Sequence, residues 1–164
     1  MTEQTSVIIR NFELKDLDNV IDINRQCLPE NYPEGFFRTI FSECPKGFAL
    51  AEVNGIIVGY TMGRIESGLS LFSIFHRAKK GHTVSIAVLP EYRRSKIATK
   101  LINASSEAMR EYGADELFLE VRMSNIAAVK LYESLEYKIV KELRHYYRDM
   151  EGAYLMAQKV KKSE

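Results

Sequence analysis

From Val84 to Lys100 the chain reads VSIAVLPEYRRSKIATK, and this stretch narrows the fold more than any other. A strand-like run (Val84, Ser85, Ile86, Ala87, Val88, Leu89) ends at Pro90. A charged turn follows, Glu91, Tyr92, Arg93, Arg94, Ser95 and Lys96, and a helix opens at Ile97. Strand, basic turn and helix N-terminus is the layout that captures phosphate. The unpaired N–H groups of the first helical turn point at the anion, and Arg or Lys adds full charges. From local sequence alone, a solvated basic turn stands level with that reading. No Gly-x-x-x-x-Gly-Lys-Ser/Thr occurs, which argues against a nucleoside triphosphatase, and no Gly-x-Gly-x-x-Gly supports a dinucleotide fold.

The 164 residues suit one domain, spanning 1–164 with a core over about 6–160. A formal net charge of +1 argues against a dedicated DNA-binding protein. No apolar run approaches the roughly 20 residues that cross a bilayer, and the first residues, MTEQTSVIIR, lack a charged start with an apolar core. Cys27 and Cys44 form neither a disulfide framework nor a metal-ligand spacing, so a cytoplasmic setting without membrane contact, and no metal, is expected.

Periodicity supplies the elements. Ser6–Arg10 reads as a strand, and Leu14, Leu17, Val20 and Ile21 place a helix over Lys15–Cys27 that Leu28-Pro29 ends. Gly35–Cys44 reads as a shorter helix with an aromatic face. Phe48–Val53 and Ile56–Ile65 flank Asn54-Gly55, a two-residue hairpin signal. Ser67–Lys80 reads as a polar loop, unusually rich in apolar residues, whose basic cluster (His76, Arg77, Lys79, Lys80) is a solvated surface; docking of acidic peptides or ribosomal RNA is the weaker alternative. A strand over His82–Leu89 and an amphipathic helix over Ile97–Tyr112 come next. Asp115–Arg122 alternates, with Phe118, Glu120 and Arg122 on one face. Ser124 or Asn125 caps a further helix carrying Ala128, Leu131 and Leu135, and Tyr137–Leu143 and Tyr154–Gln158 are closing strands. The order β1-α1-α2-β2-β3-β4-α3-β5-α4-β6-β7 is a mixed α/β sheet with helices on both faces.

The run Arg93-Arg94-Ser95-Lys96-Ile97-Ala98 resembles the pyrophosphate motif of the Gcn5-related N-acetyltransferases, Arg/Gln-x-x-Gly-x-Gly/Ala. Arg93 and Ala98 match its ends. Lys96 stands where the family has its central glycine; in an ordinary backbone conformation lysine still presents its N–H there and adds a cation. Leu119-Glu120-Val121-Arg122-Met123-Ser124-Asn125 and Ala128–Tyr137 are similar to the family's following strand, cap and helix. Leu28-Pro29-Glu30-Asn31-Tyr32 resembles the peptide-recognition loop of the catalytic subunit of N-terminal acetyltransferase A and its archaeal relatives.

The resemblance implies acetyl transfer from acetyl-CoA to the α-amine of a polypeptide beginning with Ser, Ala, Thr or Met, by direct attack in a ternary complex. It implies that the fourth and fifth strands splay, with pantetheine between them and the backbone at Ile86, Ala87 and Val88 holding the thioester. Arg93, Arg94, Ser95, Lys96, Ile97, Ala98 and Thr99 would take the diphosphate, with Asn125 and Tyr132 as further cofactor contacts. His82, Glu120 and Glu30 are the candidate bases, and Tyr132 the proton donor to the departing thiolate. Glu30, Tyr32, Arg122, Tyr146 and Tyr147 would hold the peptide. Each has a plainer reading: His82 as a strand-edge histidine, Glu120 and Glu30 as solvated carboxylates, Tyr132 as packing, Asn125 as a cap, Tyr146-Tyr147 as strand-favouring aromatics. Nascent chains at the ribosome are the partner the resemblance suggests, for a monomer or weak homodimer. A ribosomal-protein alanine acetyltransferase of the RimI type and an idle acetyl-CoA-binding module are the alternatives.

Overall fold

Alternation along one strand sets the layers. In β2 (Phe48–Val53), Phe48 and Leu50 join an apolar cluster with Leu17, Val20 and Ile21 of α1 (Leu17–Cys27) and Phe37 and Ile40 of α2 (Glu34–Glu43). Ala49, Ala51 and Val53 join a second cluster with Ile97 and Leu101 of α3 (Ile97–Glu111). Successive strand side chains point to opposite faces, so both faces are covered by helices here.

The computed structural model describes residues 6–162. The remaining elements are β1 (Val7–Asn11), β3 (Ile56–Leu69), β4 (Arg77–Val88), β5 (Glu116–Arg122), α4 (Ile126–Ser134), β6 (Lys138–Leu143) and β7 (Ala153–Lys159), with short 3-10 turns at Leu14–Asp16, Pro45–Gly47 and Pro90–Tyr92. The seven strands lie in the order β1-β2-β3-β4-β5-β7-β6. β4 and β5 run parallel, while β1–β2, β2–β3, β5–β7 and β6–β7 are antiparallel. The chain divides into two compact units. One holds the residues up to Arg64 with Thr83–Met109, the other Ile65–His82 with the residues from Arg110 on. The strands β3 and β4 and the helix α3 each contribute to both.

The expected elements are present in the expected order. Asn54 and Gly55 both take positive φ, 51° and 77°, as a two-residue hairpin turn requires. One expectation is corrected. The segment read as a loop over Ser67–Lys80 is mostly strand: β3 runs on to Leu69 and β4 starts at Arg77, leaving only residues 70–76 as the turn. The reason is tertiary. The Glu116 side chain, on a nearly buried residue, accepts from the Leu71 N–H at 2.9 Å and from the Ser70 hydroxyl. The Ser70 N–H meets the His76 carbonyl, and Lys80 Nζ donates to the Leu69 carbonyl at 3.0 Å. Arg77 and Lys79 are exposed on either side of buried Ala78 and form the outer face of the strand, while His76 lies in the turn and Lys80 is half-buried on the face of Ala78.

A forked ion pair ties β1 to the start of α1. Arg10 donates from Nη1 and Nη2 to both Asp16 carboxylate oxygens at 2.8 and 2.9 Å, and from Nε to Glu52 on β2. Asp16 is 4% exposed. Its hydrogen bond from Arg10 holds its carboxyl below the usual range, against the opposing effect of burial. A carboxyl depressed in the folded state contributes stability that is complete above about pH 4 and disappears as pH falls through the lower folded value. Asp16→Asn is therefore expected to cost about 2 kcal/mol at neutral pH, reduced from the fully buried case because Arg10 is partly exposed. It should also flatten the loss of stability on acidification. Urea unfolding at pH 7 and pH 3 measures both; equal stability of the two proteins at pH 7 would exclude the contribution.

Candidate functional site

The basic turn runs from a short 3-10 turn to the start of α3. Pro90–Tyr92 forms a 3-10 turn closed by the Arg93 N–H on the Pro90 carbonyl, and Lys100 N–H to the Lys96 carbonyl is the first bond of α3 to reach back into the turn. The N–H groups of Ile97, Ala98 and Thr99 then have no helical acceptor. Arg94, Ser95 and Lys96 are exposed around them. Arg93 folds back, its Nε donating to the Val88 carbonyl at 2.9 Å. On β4, the Leu89 N–H pairs with the Val58 carbonyl of β3, so alternation aims the backbone groups of Val88 away from β3. The β4–β5 ladder holds only three register pairs, Lys80–Glu116, Gly81–Leu117 and His82–Phe118.

Lys96 does not sit in an ordinary conformation. Its φ is 61°, and Arg94 is also left-handed at 63°. The glycine it stands in for would take that conformation without cost. For lysine, the Cβ crowds the following carbonyl, a penalty of about 1–2 kcal/mol. Lys96→Gly is therefore expected to raise stability by about 0.5–1 kcal/mol, the relief being partly cancelled by the freer unfolded chain. Thermal unfolding checks this; a lower Tm would contradict the stated conformation.

At the other end of β4 the second cluster forms. His82 is 8% exposed and its ring stacks on Phe118 at 4.3 Å between centroids. Phe118 is its register partner, and Glu120 lies two residues further on the same face of β5. Nε2 of His82 lies 2.7 Å from Glu120 Oε2, and Nδ1 lies 2.9 Å from Glu66 Oε1. An imidazole held between two carboxylates can carry protons.

Tyr132 is the one buried residue of α4, edge-on to Tyr137 at 5.9 Å. Burial pushes its phenol well above the usual range, so it stays protonated and able to donate. Asn125 caps α4, accepting from the Ala128 N–H at 3.2 Å. Arg122 donates from Nη1 to Asp149 and Glu151, both at 2.8 Å, and its guanidinium covers the Tyr147 ring at 4.0 Å. Hydrogen bonds from Ser124, then from Arg122, hold the Glu151 carboxyl down at about 2. Tyr146 and Tyr147 meet edge to face at 5.0 Å, on the segment between β6 and β7.

The recognition loop belongs to the unit containing α1. Tyr32 stacks on Phe36 at 4.7 Å. The Glu30 carbonyl accepts from Asn24 Nδ2 at 3.1 Å, and the same amide nitrogen reaches the Tyr60 hydroxyl at 3.0 Å. Tyr60 in turn meets Ser85 Oγ at 2.7 Å, and burial pushes its phenol up to about 12. Two contributors escaped the sequence reading. Asn24 sits among Val20, Ile21 and Leu28 on the apolar stripe of α1, and a polar residue there was a readable signal. Glu66, in Arg64-Ile65-Glu66, looks like any solvated strand end and gave none.

A mixed sheet with a parallel β4–β5 pair, and a basic turn between β4 and α3, is the frame of an acetyltransferase. The chain belongs to the acetyltransferase (GNAT) family, whose model matches residues 17–137. It is similar to the N-alpha-acetyltransferase of Sulfurisphaera tokodaii, with 55% identity over 151 residues, covering 91% of this chain and 90% of that protein. Among solved structures it resembles Ard1 from Thermoplasma volcanium, at 28% identity and a TM-score of 0.83, covering 95% of this chain and 99% of that one. It also resembles Naa20 of Chaetomium thermophilum in complex with a bisubstrate analogue, at 29% identity and a TM-score of 0.81, covering 93% and 86%.

Proposed function

We propose that this chain moves the acetyl group of acetyl-CoA to the α-amine of polypeptides that begin with Ser, Ala, Thr or Met. Relatives named N-alpha-acetyltransferase at up to 55% identity support the reaction class. The observation that carries the residue roles is the layout of one strand, β4. It carries His82, bonded to Glu120, and six residues later Val88, which leads into the basic turn.

The turn fits a diphosphate: three first-turn N–H donors with Arg93, Arg94 and Lys96 beside them. Ser95 adds a hydroxyl. Bound acetyl-CoA supplies the acetyl group as a thioester. Ile86 and Val88 turn their backbone N–H groups to the side of β4 away from β3, with Ala87 between them, and an N–H there stabilises the negative charge that develops on the acetyl oxygen. Glu120, bonded to His82, takes the amine's proton, and Tyr132 donates one to the departing sulfur. Asn125 contacts the cofactor from the start of α4. Glu30, Tyr32, Arg122, Tyr146 and Tyr147 seat the first residues of the peptide. The chain works as a single domain, since three elements run unbroken through both units, and acts in the cytoplasm on nascent chains as a monomer or weak homodimer. Among the described residues, no helix is long and apolar enough to cross a membrane, and no group of three His, Cys, Asp or Glu side chains could hold a metal ion.

An attacking amine must be neutral. The α-amine has a pKa of about 7.7–8.0 against about 10.4 for lysine, so at neutral pH an N-terminus offers several-hundred-fold more free amine, roughly. Peptides beginning Ser, Ala, Met-Glu or Met-Leu, each with one internal lysine, are to be incubated with acetyl-CoA and mapped by fragmentation mass spectrometry. Product at the N-terminus is expected. Acetyl-lysine as the main product would reassign the substrate, and binding of acetyl-CoA without turnover would make the chain an idle module.

A further inference from the structure

We propose that Glu66 is the positioning residue of the proton relay: it holds Nδ1–H of His82, fixes the ring, and so commits Nε2 to Glu120. The inference rests on the acetyl-transfer reading above and assigns the roles within it. Glu66 reaches the ring from β3, at 2.9 Å, while Glu120 reaches it from β5, at 2.7 Å. The Phe118 ring stacked at 4.3 Å prevents His82 from tilting out of that line. The side chains of His82 and Glu120 are 10% and 17% exposed, so water competes weakly for the Glu120 bond; Glu66, at 33%, is the more exposed end. Lys80, two residues back on β4, brings a positive charge to the same ring stack, with its Nζ 5.6 Å from the Phe118 ring centroid.

Counting protons gives the roles. An ionised carboxylate has lone pairs and no proton to donate. Each of the two short N···O contacts therefore needs a proton of its own, and the trio holds two at rest. Both ring nitrogens are taken up by these two carboxylate contacts, and neither is left to face a substrate. His82 then cannot be the atom that receives the amine's proton. The acceptor is the second oxygen of Glu120. In the transfer the amine N–H bond breaks, its electron pair stays on what becomes the amide nitrogen, and an O–H bond forms at Glu120. Nε2–H stays bonded to the first Glu120 oxygen throughout, and the proton then passes to bulk water. Without Glu66, Nδ1–H loses its acceptor, the ring is free to rotate, and the proton on Nε2 is no longer held in place.

Two measurements test this. Nitrogen-15 NMR of the histidine-labelled wild-type enzyme, with His82 assigned against a His82→Gln sample, should show a proton on Nδ1. A bare Nδ1 would overturn the proposal. For Glu66→Gln, kcat should fall about tenfold while the KM for acetyl-CoA stays within about twofold, because the basic turn is untouched. The nitrogen-15 signal of His82 Nδ1 should also move in Glu66→Gln, because its carboxylate acceptor is gone. Glu66→Asp should recover part of kcat. An unchanged kcat in Glu66→Gln, or a kcat loss with the Nδ1 signal unmoved, would overturn the role. If the wild-type enzyme acetylates no peptide, the acetyl-transfer reading fails instead, and the NMR result still decides whether Glu66 holds the ring.

Discussion

Changing His82 to alanine and Glu120 to glutamine in one chain is expected to lower kcat by about 10²- to 10³-fold, the range in which a positioned acid–base group contributes. Glu120→Gln alone should account for most of it, because the amide cannot take the amine's proton. His82→Ala should cost less, about 10-fold, since the carboxylate survives but loses the donor that orients it. The double variant should be worse than either single one and better than the product of the two losses. Residues joined by a 2.7 Å bond act on the same proton, and their effects do not multiply. Binding of acetyl-CoA should be unaffected, since none of its proposed diphosphate contacts is touched. Steady-state kinetics from pH 6 to 9 measures all four proteins. Full activity of the double variant across that range would remove the pair from the mechanism.

The part of this site that follows strand periodicity was legible in advance. Glu120 shares a face with Phe118 because the two are two residues apart on β5, and His82 reaches that face because it is the register partner of Phe118. The order of elements and the hairpin at Asn54-Gly55 were legible for the same reason: the signal lies within a few residues. What could not be read depends on partners distant in sequence. The length of the β3–β4 hairpin is set by Glu116, more than forty positions from the serine it holds. The Asn24–Tyr60–Ser85 chain joins three elements through single atoms. Lys96 is the instructive miss. Its side chain argued for a cation on an ordinary turn, while the backbone required the left-handed region regardless of side chain. The conformation belongs to the turn that has to connect β4 to α3, and residue chemistry did not announce it.

Gly59 packs directly against the strand proposed to hold the cofactor, and its substitution should damage stability and function together. The residue lies on β3 with no side chain between it and β4. A Cβ added there would lie 2.9 Å from the Ala87 carbonyl oxygen, 3.2 Å from Val88 Cγ2 and 3.3 Å from Leu101 Cδ1. The first of these is backbone, so relief requires moving β4 itself, and Leu101 on α3 closes the remaining space. Overpacking of this kind costs about 1–3 kcal/mol. Gly59→Ala should fall at about 2 kcal/mol, and Gly59→Val, with two more methyl groups, at about 3 kcal/mol or beyond. For a chain of this length Gly59→Ala should lower Tm by about 4–8 °C. Function should change with it, because Ala87 and Val88 are the proposed thioester contacts and small misplacements of a reacting group are amplified. The KM for acetyl-CoA should rise in Gly59→Ala even at a temperature where the protein is fully folded. Gly35→Ala is the control. Gly35 lies in α2 with nothing within 4 Å of an added Cβ, so the change should raise stability by about 0.5–1 kcal/mol through helix propensity alone. Equal Tm values for Gly59→Ala and wild type would show that β4 yields freely at this point, and that the close approach of the two strands does not fix the backbone the cofactor is proposed to use.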